Sequence, residues 1–144
     1  MMKRSSLIIL ASTLLLGACI SLFASDPDAE IRGRLSTKMV NLSLAVDTYF
    51  ADLPQAPTDS DAVILQKATS HDKRLLAPEF EAYMLKVQYQ NPYAVLLLCS
   101  KDGSRAIMED AGCSARIDRQ VTHNAPCVFT LRVHQGCQVE GAVP

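Results

Sequence analysis

The spacing of apolar residues changes once along this chain, and the change governs what the chain can fold into. Ile31, Leu35, Met39, Leu42, Val46, Tyr49 and Leu53 recur every three or four residues, the period of one helix face. From Tyr83 the period is two: Tyr83, Leu85, Val87 and Tyr89 alternate with Met84, Lys86, Gln88 and Gln90. Helices first and strands afterwards is the order of an α+β domain, in which the two kinds of element segregate.

The boundaries carry their own chemistry. Asp26 can cap free N–H groups, Pro27 suits a first helical position, and Asp28 and Glu30 favour the positive end of the helix dipole. Pro54 stops the helix. Thr58 and Asp61 resemble a capping box with Asp in place of Glu, which predicts a second helix over Asp59–Ser70 with Val63, Ile64 and Ala68 inward. A loop interrupted by Pro78 leads to the strand Tyr83–Gln90. Asn91-Pro92 turns the chain into Tyr93–Cys99 (YAVLLLC), a nearly continuous apolar run that predicts a central strand covered on both faces. Lys101-Asp102-Gly103 turns into Arg105–Glu109, Cys113–Asp118 reads as a weaker strand, and Cys127–Val133 (CVFTLRV) alternates again. The expected fold is therefore α+β: a long N-terminal amphipathic helix and a short helix packed on a four- to five-stranded antiparallel meander.

Lys3 and Arg4 precede the apolar run Leu7–Cys19 (LIILASTLLLGAC), the layout of a secretory signal. Its end, Leu16-Gly17-Ala18-Cys19, resembles the lipobox of bacterial lipoproteins. The resemblance implies cleavage before Cys19, lipidation of that cysteine and attachment to a membrane. It divides the chain into a signal peptide (1–18), a lipidated Cys19 with its tether (19–25), one periplasm-facing domain (26–140) and a short frayed tail (141–144). Ile20, rather than Asp, does not resemble the inner-membrane retention signal of enteric lipoproteins, so the outer membrane is favoured. Two alternatives stay open: Leu7–Ala24 retained as an uncleaved spanning anchor, or cleavage after Ala24 or Ser25 releasing a soluble form. Every version places the domain in an oxidising space. About 125 residues follow Cys19, enough for one domain with its own core.

Without Cys19 the cysteines are Cys99, Cys113, Cys127 and Cys137, an even set that predicts two disulfides bracing the domain. No pair has the short CxxC spacing of a strong zinc motif, and no metal or other cofactor is expected. If Cys113–Asp118 is a strand, alternating strand directions favour Cys99–Cys127 with Cys113–Cys137. If it is not, Cys99–Cys137 with Cys113–Cys127 is preferred.

Beyond Cys19 there are 12 basic and 15 acidic residues, a balance that gives no support to nucleic-acid binding. Arg32, Arg34 and Lys38 follow the proposed anchor closely and could touch anionic headgroups, although a solvated helix face is the simpler explanation. His71, His123 and His134 fall in separate segments. Glu109 and Asp110, if in a strand, point to opposite faces. No nucleophile elbow or phosphate-cradling loop is present, so no catalytic residue is assigned and an enzyme is not expected. The polar stretch Glu109–Cys127, with Arg116, Asp118, Arg119, His123 and Asn124, is the candidate binding loop. The expected role is non-catalytic binding or support of a protein partner in the cell envelope. The alternatives are a periplasmic inhibitor or ligand-binding module, or an uncleaved component of a secretion or pilus-like assembly.

Overall fold

The computed structural model describes residues 26, 28–113, 115–122 and 124–141. The lipobox, Cys19, the tether 19–25, His123 and residues 142–144 lie outside them. Helices α1 (Ala29–Ala51) and α2 (Asp61–Ala68) come first, then 3-10 turns at Lys73–Leu75 and Pro78–Ala82. Strands β1 (Tyr83–Gln90), β2 (Tyr93–Ser100), β3 (Ala106–Asp110) and β4 (Arg119–Gln120) follow, and β5 (Arg132–His134) and β6 (Gln138–Glu140) complete the fold. The first four strands form one antiparallel sheet in chain order, and β5 and β6 form a separate pair. The fold class is α+β. No helix among the described residues is long and apolar enough to cross a membrane.

Helix α1 packs Leu35, Met39, Leu42, Val46 and Phe50 into the core. Its sides are less cleanly divided than the apolar spacing predicts. Arg32 and Ser43 are buried with the apolar residues, Leu44 is exposed, and Phe50 takes the deep position while Tyr49 packs at its margin. Burial of Arg32 is compensated by hydrogen bonding: Nη1 donates to the Val121 carbonyl at 2.9 Å, and Nη2 pairs with Asp26.

Helix α2 starts two residues later than the capping-box reading. Its N-cap is Ser60, which makes no side-chain cap. Asp61 instead lies near the Val87 backbone N–H of β1, which offsets part of the rise that burial gives its carboxyl. Seated there, α2 buries Ile64 and Leu65 and leaves Val63 exposed, contrary to the expected inward position of Val63.

The sheet is read most directly from β2. Ala94, Leu96 and Leu98 face α1, while Val95, Leu97 and Cys99 face the opposite way, and all six are buried. A register shift between Leu98 and Cys99 leaves Ile107 unpaired in β3, and it too joins the helix-side core. The second face of the sheet is covered by residues 127–133, here called the strap, which runs from the Cys99 end of β2 toward its Tyr93 end. Cys127, Leu131 and Val133 are buried against Leu97, Cys99 and Val95, and Val128 is exposed.

Two strand expectations are corrected. Residues Cys113–Asp118 are turn and bend, and pairing resumes only in the two-residue β4. Cys127–Val133 has the alternating burial of a strand, yet only its last residues enter a ladder, as β5 paired with β6. The disulfides are Cys99–Cys127 and Cys113–Cys137, with Cα–Cα separations of 5.8 and 5.5 Å. The premise that selected this pairing, a strand over Cys113–Asp118, does not hold. The partners meet because Cys99 points to the strap face and the strap begins directly over it.

Replacing both Cys113 and Cys137 by Ser is expected to lower the unfolding free energy by about 3.5 kcal/mol, the chain-entropy value for a loop of this length. Urea transitions of the oxidised wild type and the variant measure it. A loss below about 1 kcal/mol would mean that packing and hydrogen bonds alone hold the strap.

Candidate functional site

The region between Glu109 and Cys127 is organised by two consecutive carboxylates at the end of β3. Alternation along the strand sends them to opposite faces, and both are completely buried. Glu109 faces the strap. Its Oε1 accepts from the backbone N–H groups of Thr130 at 2.8 Å and Leu131 at 3.0 Å, and its Oε2 accepts from the Thr130 hydroxyl at 2.7 Å. Arg119 stands directly opposite on β4, with Nη1 3.7 Å from Oε2. A buried carboxylate is tolerable only with such a set of donors.

The same cross-strand row continues through Leu97 to Lys86 on β1. Lys86 donates to the Cys127 carbonyl at 3.3 Å. Four residues further along β1, the Gln90 amide donates to the Leu131 carbonyl at 3.0 Å and accepts from the Val133 N–H at 2.8 Å. These contacts explain how the strap reaches β5 without a neighbouring strand: sheet side chains bond its backbone. Lys86 and Gln90 were legible only as the polar positions of an alternating strand.

Asp110 faces α1. Its oxygens accept from the backbone N–H groups of Gly112 at 3.3 Å and Asp118 at 3.2 Å, and Asp118 in turn accepts from the Ala111 N–H at 2.8 Å. The two carboxylates thus clasp the ends of the loop between them. Burial pushes the Asp110 carboxyl up to about 6 and the Asp118 charge adds to the rise, while Ser43 and the backbone donors oppose it. Gly112 completes the clasp. Its φ of +69° is left-handed, and a Cβ there would meet the Ser43 carbonyl oxygen at 3.0 Å.

The candidate binding residues separate accordingly. Asp118 and Arg119 are half-buried in the clasp and the Glu109 row. Arg116 and Asn124 are exposed, Asn124 in a left-handed conformation at φ 67°. His123 lies outside the described residues. His134 sits on the β5–β6 pair with Nε2 3.0 Å from Glu140. His71 is exposed at a cleft of ≈ 370 Å³ between α1 and α2, lined also by Tyr49, Asp52, Lys67 and Ser70.

Among the described residues no three His, Cys, Asp or Glu side chains converge as metal ligands. No protein family, curated protein or solved structure matches this chain. The chemistry of the region therefore has to be taken from its geometry. Glu109 and Asp110 are acceptors for backbone donors and present no surface to a substrate, so their work is to hold the strap and the loop in place. What the region offers outward is the loop surface around Arg116 and Asn124.

Two outcomes are expected. Glu109→Ala leaves the N–H groups of Thr130 and Leu131 buried without acceptors, and should cost about 3 kcal/mol or more in denaturant unfolding. Glu109→Gln, which keeps an acceptor, should cost visibly less. The second concerns pH. With its folded pKa raised, Asp110 contributes most stability below the unfolded value and loses it as pH rises through about 6. Asp47 and Asp61, also raised by burial, act in the same direction. Unfolding free energy should therefore increase from pH 7.5 to pH 5, with about 1 kcal/mol of the gain from Asp110, and Asp110→Asn should remove most of that slope. An unchanged slope in the variant would show that Asp110 does not titrate there.

Proposed function

We propose that this chain is a lipid-anchored component of the bacterial cell envelope whose domain faces the periplasm and binds or supports another envelope component without catalysis. The observation that carries the reading is Leu16-Gly17-Ala18-Cys19, placed behind Lys3, Arg4 and an apolar run of signal length. The disulfides Cys99–Cys127 and Cys113–Cys137 support an oxidising compartment. The inward use of Glu109, Asp110 and Arg119 supports a rigid carrier of loops over a reaction centre. Ile20 after the cysteine favours the outer membrane over the inner one.

The intact mass of membrane-extracted protein tests the anchor. Wild type should show cleavage before Cys19 and the mass of added acyl chains, and Cys19→Ala should lose both. An unmodified full-length mass in both proteins would overturn the lipoprotein reading and make Leu7–Ala24 a retained anchor.

A further inference from the structure

We infer that the domain has a second contact with the membrane: a basic face formed by Arg34, Lys38, Lys73, Arg74 and Leu76 that lies against anionic lipid headgroups. The inference rests on the anchored reading and adds to it an orientation.

Four of the twelve basic residues beyond Cys19 gather at this one place. Lys38, Lys73, Arg74 and Leu76 line a shallow groove of ≈ 700 Å³ where the first 3-10 turn packs beside α1. Arg34, one helical turn before Lys38, stands close enough to Glu79 to help lower its carboxyl. Asp72 is paired with Arg74, Glu79 is paired with Lys38, and exposed Glu30 stands one helical turn before Arg34, so the face keeps one net positive charge on a chain that is negative overall. Elsewhere Arg32, Arg105, Arg119 and Lys86 are engaged with Asp26, Asp28, Glu109 and the Cys127 carbonyl. Leu76, 36% exposed, adds an apolar side chain beside the cations, the pairing that an interface of headgroups and acyl chains accepts.

Position agrees with charge. Ten residue steps lead from Cys19 to Ala29, a span of at most about 35 Å when fully extended. Arg34 and Lys38 lie only about 8 and 14 Å along α1 from its first residue. A tether that short keeps this end of the helix within reach of the bilayer, and the anionic surface attracts the cations that face it.

The test uses the full lipidated chain in vesicles of neutral phosphatidylcholine, with or without anionic phosphatidylglycerol. A water-soluble amine reagent is applied and each lysine is read by mass spectrometry. Lys38 and Lys73 should be protected about threefold in the anionic vesicles relative to the neutral ones, and about 0.5 M salt should remove the protection. Lys67 serves as control, because it neighbours Tyr49 near the far end of α1. Arg34→Gln combined with Arg74→Gln, both exposed, should abolish the protection without unfolding the domain. Equal labelling in the two vesicle types, on protein whose mass shows acylation, would overturn the basic face and leave the anchor intact. Protection that is independent of lipid charge and rises with protein density would assign the face to a second copy of the chain, and also overturn it. Absence of acyl chains would overturn the anchored reading, and this inference with it.

Discussion

The second face of the sheet depends on one buried carboxylate. Residues 127–131 cross that face without strand partners, so the backbone groups they bury need acceptors and donors from sheet side chains. Glu109 accepts from the Thr130 and Leu131 N–H groups and also from the Thr130 hydroxyl. Lys86 and Gln90 add bonds from the edge strand. Once the strap is seated, Val95, Leu97 and Cys99 become a second core, and Cys127 at its start and Cys137 in the turn beyond β5 come within bonding distance of their partners. The disulfides then restrict the unfolded chain, and the Glu109 row specifies where the strap lies. The two devices divide one task.

A comparable arrangement fixes the beginning of the domain. Asp28, almost completely buried, pairs with Arg105 at the start of β3, and Arg32 joins Asp26 to the Val121 carbonyl beyond β4. Desolvating such charges is costly, so they add less to stability than their number suggests. Their geometric effect is larger. They connect the first described residues to the strand that carries Glu109 and Asp110, and so tie the entry of the chain to both faces of the sheet.

Much of this was legible in the sequence, and the misses have a common cause. The segregation of helices and strands, the β1–β2 turn at Asn91-Pro92 and the two-sided burial of Tyr93–Cys99 follow from periodicity, because periodicity reports which faces of an element are buried. It does not report what satisfies the backbone. Cys127–Val133 alternates as a strand does because an extended chain on a core shows the same pattern, whether its hydrogen bonds go to a ladder or to side chains. For the same reason Lys86 and Gln90 read as solvent-facing. Their length lets them reach across to a covering segment, and no local pattern distinguishes that use from exposure. Of the candidate loop, Asp118 and Arg119 turned inward for causes equally invisible locally: Asp118 accepts from the Ala111 N–H across the loop, and Arg119 faces the Glu109 carboxylate on the neighbouring strand.

That inward use bears on how any partner would meet this domain. A carboxylate fully engaged with backbone donors cannot also meet an incoming group without releasing the loop or strap it holds. Recognition through Glu109 or Asp110 would thus require local opening, opposed by the disulfides at Cys113 and Cys127. Recognition through side chains that the fold leaves outward, such as Arg116 and Asn124 on the loop or Lys73 and Leu76 beside α1, requires no such opening. Glu109 and Asp110 lock the scaffold, and the outward side chains are where binding costs least reorganisation.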